Sequence, residues 1–278
     1  MKRRLFSGLV YLAASLLGAL TFLYPFFMPW LVEQGAGDQA GRGTPLSLAL
    51  LLGLCVLVLL YEVQRQALNM RLVALLGMLV AMNAGLRFIE VAIPGPGGFT
   101  PIFFLIILVG YVYGGRVGFL MGALTMLVSA LVTGGVGPWL PGQMFAAGWV
   151  GMSAPLCRLF FPGRGKKPRR AEVLALAVFG AGWGFAYGAV MNLWSWPYMA
   201  GPADQYWTPG IGLADTLQRY ALYYLVTSFT WDLVGAAGTV VLILAFGAPA
   251  LQALRRFHQR FFFEYRPFGL PAPEMPGD

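Results

Sequence analysis

Charge is scarce in this chain. Only 11% of its 278 residues are Asp, Glu, Lys or Arg, against about a quarter in a soluble domain, so a water-soluble globular protein is excluded. The one histidine, His258, stands in a basic C-terminal stretch, which disfavours a histidine-built metal or proton site. Two cysteines, Cys55 and Cys157, fall in separate apolar runs with no disulfide or metal spacing, and read as small core residues. No Ser/His/Asp or Cys/His pair, acidic dyad or metal cluster stands at a usable depth, which disfavours catalysis. A phosphate loop is also missing: the glycines before Gly165-Lys166 are wrongly spaced for G-x-x-x-x-G-K, and no strand precedes them. Any ATP hydrolysis then belongs to another chain. The sequence has no ring-forming polar repeat or charge ladder of a channel, and no inverted repeat of an ordinary secondary transporter.

What is present is apolar length. Hydrophobic residues make up 58% of the chain. They gather into runs at Leu5–Leu31, Leu46–Tyr61, Leu72–Ile93, Pro101–Tyr113, Val117–Val132, Met144–Phe161, Val173–Trp196 and Tyr220–Phe246. Read as membrane helices, these predict an all-α polytopic protein of eight spans. With the N-terminus inside, all of the 19 basic residues except Arg42, Arg87 and Arg219 face the cytoplasm, while Glu33, Asp38, Asp204 and Asp215 lie outside. The positive-inside rule thus places both termini in the cytoplasm and the protein in the cell membrane. The net charge of +8 follows from that rule and does not indicate nucleic acid. Three parts are expected: two additional N-terminal spans (1–63), a six-helix core (64–250) and a basic, aromatic tail (251–278). "FPGRGKKPRRAE" (Phe161–Glu172) is the best internal hinge, and the tail suits either an anionic lipid surface or a cytoplasmic partner.

Ionisable residues inside spans are the sharpest functional hints. They are Arg87 and Glu90 in the third run, with Asn83 about one turn deeper, and Asp232 in the last. An unpaired charge there costs at least about 2.5–3.5 kcal/mol. Two readings follow: Arg87 pairs with Glu90 or Asp232 to lock helices together, or these groups form a polar wall for a solute entering from outside. "MNLWSWPYMAG" and the stretches after it gather Asn192, Trp194 and Trp196 with several tyrosines at the outer edge, as an interfacial belt or an aromatic pocket. "TGGVGPWLPGQMFAAG" (Thr133–Gly148) adds Trp139 and Gln143 to the same side, more than a plain turn needs. Small residues recur every four positions at Gly77, Ala81 and Gly85, beside Ala74, and again at Gly118, Gly122 and Ser129. Such stripes serve internal packing or dock a separate subunit.

Three stretches carry a resemblance: "GFTPIFFLIILVGYVYGGRVGFLMGALTMLVSALVTGGVGPWLPGQMFAAGWVGM", "YGAVMNLWSWPY" and "SFTWDLVGAAGTVVLILAFGAPALQALRR". Over roughly Arg71 to Arg256 the chain resembles the substrate-binding S component of energy-coupling factor (ECF) vitamin transporters. The resemblance implies a non-enzymatic six-helix core, here preceded by two extra N-terminal helices, that captures a vitamin or precursor without a cofactor. It implies partners as well: a membrane T subunit, which would meet Ala74, Gly77, Ala81 and Gly85, and cytoplasmic ABC-type ATPases. The loop Ala92–Thr100 would be the lid. The expected ligand neighbours are Asn83, Arg87, Trp139, Gln143, Asn192, Trp194, Trp196 and Asp232. Arg87, Gln143 and Asn192 suit a planar hydrogen-bonding vitamin, while the long segment Tyr198–Gln218 leans the choice slightly toward a cobalamin-type ligand. A structural or assembly membrane protein is the alternative, and an intramembrane enzyme using Asp232 or Glu90 a weaker one.

Overall fold

Glycine and proline cut the apolar runs into pieces of unequal length. The computed structural model describes residues 70–261, apart from gaps at 93–96, 98, 162–167, 200, 203 and 209–210, together with scattered positions within 13–23 and 50–60. Among the described residues from Met70 on, seven α-helices follow one another: α1 (Met70–Ala92), α2 (Ile102–Tyr113), α3 (Gly115–Thr133), α4 (Leu140–Ser153), α5 (Arg170–Ser195), α6 (Leu213–Thr227) and α7 (Phe229–Phe261). Two 3-10 turns, Ala154–Phe160 and Trp196–Tyr198, extend α4 and α5.

Each break has a local cause. Gly114 ends α2 at φ 102°, a left-handed value that favours glycine. Gly134 ends α3 at φ 70°, its N–H donating to the Ala130 carbonyl. Pro155 falls where α4 tightens into its 3-10 turn. At Ser228 (φ −128°, ψ −28°) the chain leaves α6 and restarts as α7, with Asp232 in the first turn, where a carboxylate complements the helix dipole.

These breaks overturn the expected span count. Among the described residues four helices are long and apolar enough to cross a membrane: Met70–Ala92, Gly115–Thr133, Arg170–Ser195 and Phe229–Gln259. That is fewer than the six of the expected core or the eight of the whole chain. The 12 residues of α2 rise only about 18 Å, short of a hydrocarbon core of about 30 Å. The 14 residues of α4 fall short for the same reason. The run Tyr220–Phe246 is two helices, so Asp232 stands near a helix start and not at the middle of a span. Most of the two N-terminal runs, the loop 162–167 and the tail beyond 261 lie outside the described residues.

Backbones approach closely in two places. At the first, α2, α3 and α4 meet: a Cβ on Gly110 or Gly118 would strike the Gly151 carbonyl, and one on Gly122 the Ala147 carbonyl. At the second, α5 lays Gly180, Gly184 and Gly188 against Thr239, Ala236 and Asp232 of α7. Around these seams lies an apolar core of side chains such as Ile106, Ile107, Leu108, Phe119 and Phe145, all fully buried. The described N-terminal positions join it through Phe22, whose ring is 5.8 Å from that of Trp149, and Ser15, which accepts the Trp149 indole N–H at 3.3 Å.

One end of the bundle is tied by polar groups. Arg255 on α7 meets Glu172 on α5 at 2.9 Å, the side chains only 9% and 4% exposed. Tyr111 on α2 donates its hydroxyl to the same carboxylate at 2.8 Å, and Arg158 donates to the Tyr111 carbonyl.

Candidate ligand cavity

A cavity of about 200 Å³ opens at the other end, between α1, α2, α5 and α7. From α1 come Arg87 and Glu90, three positions apart and so on one helix face. Thr100, Ile102 and Phe103 enter from the α1–α2 connection and the start of α2, Gly184 and Tyr187 from α5, and Trp231, Asp232 and Gly235 from α7. The glycines let α5 and α7 close together, which brings the first turn of α7 to the cavity wall.

The charged groups are held by neighbours and not by each other. Thr100 donates to Glu90 Oε2 at 2.9 Å. Tyr224, on α6 and outside the four long apolar helices, donates to Asp232 Oδ2 at 2.7 Å. Burial and then this hydrogen bond push the Tyr224 phenol above its usual range, so it remains a donor at physiological pH. The ion pair among the described residues is Arg255–Glu172; Arg87 has no described carboxylate within 4.0 Å and donates no hydrogen bond to a described residue. Phe103 and Tyr187 stack edge to face, with ring centres 4.9 Å apart, and with Trp231 give an aromatic wall.

The connection between α1 and α2 reaches α7 at two glycine–aromatic contacts. Gly97 lies against the Trp231 ring, so close that a Cβ there would overlap it, and the Phe99 ring lies on Gly238 in the same way. The described part of this loop therefore borders the cavity and rests on the helix that carries Asp232.

Of the residues singled out from sequence, Arg87 and Asp232 line this cavity and the other six do not. Asn83 is fully buried behind it, donating to the Ile102 carbonyl at 3.0 Å and to Thr125 Oγ1 at 3.3 Å, with Oδ1 unpaired among the described residues. Asn192 donates to Ser228 Oγ at 2.5 Å, at the break between α6 and α7. Trp196 is fully buried, its N–H given to the Gln205 carbonyl at 2.9 Å and its ring 5.1 Å from that of Tyr220. Trp194 packs on the core, Gln143 is half-buried in the first turn of α4, and Trp139 is 44% exposed with its N–H on the Gly135 carbonyl.

Sequence reasoning missed Phe103, Tyr187 and Trp231, and reached Glu90 only as one reading of a polar wall and Thr100 only as the end of the expected lid loop. The available signal was Gly180, Gly184 and Gly188, four apart on α5, which marks a face where another helix comes close. On α1 the arrangement is reversed. Its buried side is Leu75, Leu76, Leu79, Val80, Asn83 and Ala84, while Ala74, Gly77, Ala81 and Gly85 are exposed, with nothing within 4 Å of a Cβ built on either glycine.

A partly charged cavity on an all-helical membrane scaffold fits a protein that binds a solute. The family model described as the ECF transporter, substrate-specific component, matches residues 71–246, and the chain belongs to this family. No curated protein and no solved structure matches it. Membership makes it a multi-pass membrane transporter component, whose family works with T-component and ATPase partners. Among the described residues no group of three or more His, Cys, Asp or Glu is placed to hold a metal ion.

Proposed function

We propose that this protein captures a small vitamin or vitamin precursor in the cavity between α1, α2, α5 and α7 and delivers it to a separate T subunit and ATPases. The observation that carries this reading is the cavity itself, with Arg87 unpaired among the described residues, beside two carboxylates and an aromatic wall. Arg87 and Asp232 touch the ligand; Asn83 positions the Ile102 carbonyl, and Asn192 steadies the start of α7. Gly97 and Phe99, which rest on Trp231 and Gly238, serve as part of the gate. Arg158, Arg169, Arg170, Arg255 and Arg256 gather at the end away from the cavity, so that end faces the cytoplasm and the cavity faces outward. The exposed face Ala74, Gly77, Ala81 and Gly85 is where the T subunit packs.

A volume of about 200 Å³ lies below the roughly 300–1,000 Å³ of drug-sized sites. It favours a compact molecule and gives no support to the cobalamin-type lean. Native mass spectrometry of protein purified from rich medium tests the reading. A co-purifying small molecule, lost in Arg87→Gln while the protein stays folded, is the expected result. Absence of any bound molecule there, and in a thermal-shift vitamin panel, would remove the binding role.

A further inference from the structure

We infer that the ligand of this cavity is a compact planar zwitterion, its acid group taken by Arg87 and its protonated nitrogen shared by Glu90 and Asp232. This rests on the uptake reading above and names the class of molecule captured.

The argument is one of unused valences. Arg87 brings guanidinium donors that no described residue engages, in the forked geometry suited to a carboxylate or phosphate. Glu90 has one oxygen on Thr100 and Asp232 one on Tyr224. Their second oxygens, Oε1 and Oδ1, have no hydrogen-bond partner among the described residues. A charge set within a membrane protein is costly unless paired, and here Arg87 and Glu90 of α1 and Asp232 of α7 make no ion pair within 4.0 Å of one another. Each sign of charge is therefore left with capacity for the opposite sign on a guest. An anion alone would leave two carboxylates unanswered, and a cation alone would leave Arg87 unanswered. Phe103, Tyr187 and Trp231 add flat apolar surface, which suits a ring between the two charged ends and a cation over an aromatic face.

Three matched probes test this on the full chain in nanodiscs, by ligand-observed NMR titration: 4-(aminomethyl)benzoate, benzylamine and 4-methylbenzoate. They share a ring and differ in carrying both charges, the cation or the anion. The zwitterion is expected to bind at least about tenfold more tightly than either single-charge probe, as charge-assisted hydrogen bonds at both ends require. Arg87→Gln should bring the zwitterion to the level of benzylamine without weakening benzylamine itself. Arg87→Lys should restore part of the difference, which separates lost charge from lost folding. Glu90→Gln with Asp232→Asn should bring the zwitterion to the level of 4-methylbenzoate. Equal affinity for all three probes, an equal loss of all three in Arg87→Gln, or no binding of any probe overturns the inference. A native co-purifying molecule that carries one sign of charge overturns it too, yet leaves the uptake reading standing. Absence of every bound molecule removes both.

Discussion

Two stripes of small residues, on α1 and on α3, look alike in the sequence and meet opposite surroundings. On α3, Gly118 and Gly122 are buried against the backbone carbonyls of α4, with no room for a methyl group. On α1, no described residue comes within 4 Å of a Cβ built on Gly77 or Gly85, and Ala74 and Ala81 are exposed beside them. Spacing of four residues puts small side chains on one face of a helix. It does not say whether the helix that uses that face belongs to the same chain. The α3 stripe closes the fold, whereas the α1 stripe has no partner among the described residues.

The sharpest way to break the comparison is to fill the closed seam. Gly151→Leu puts a branched side chain into the α3 backbone. The expected result is loss of monodisperse protein in size-exclusion chromatography, since overpacking costs about 1–3 kcal/mol even where neighbours can shift. Recovery of wild-type yield and melting temperature would show that the helices are not in contact. A gentler pair sets the stripes against each other. Gly118→Ala should destabilise by about 1–3 kcal/mol, whereas Gly77→Ala should stabilise by about 0.5–1 kcal/mol, because an exposed helical glycine loses more backbone entropy than alanine. Thermal melts in detergent read both, and equal signs would erase the distinction. The smallest effect on the fold, within about 0.5 kcal/mol, is expected for Ala81→Leu, where there is space to spare. Its consequence should fall on transport: ligand binding retained, uptake or co-purification with the T subunit lost. Lost binding with a retained complex would contradict the assignment of that face.

Much of α1 is legible in the sequence alone. The small residues, the apolar side and the pair Arg87 and Glu90 separate by helical period. The number of spans is not legible in that way, because hydropathy sums over residues and is blind to a break. Pro155 and Ser228 interrupt runs that remain apolar on both sides. Arg87 and Asp232 stand out as charges in apolar runs, but the aromatic wall does not: Tyr187 and Trp231 have the same composition around them as residues that only pack. Trp196 shows the converse. Its sequence neighbours suggest a ligand platform, yet Gln205 satisfies its indole N–H and Tyr220 and Tyr223 cover its ring, so it is part of a closed aromatic cluster.

The last helix has a mechanical consequence. At 33 residues, α7 is about 50 Å long, well beyond a hydrocarbon core of about 30 Å. Asp232 in its first turn belongs to the cavity wall, and Arg255, roughly 35 Å further along, belongs to the tie at the opposite end. Pro249 falls between them, nearer the tie, and is the place where such a helix bends. A tilt of about 10° in the part before Pro249, a lever of roughly 25 Å from Asp232, displaces one end against the other by about 4 Å. The cavity mouth and the tied base are thus two ends of one rod, and the rod has its joint near the base.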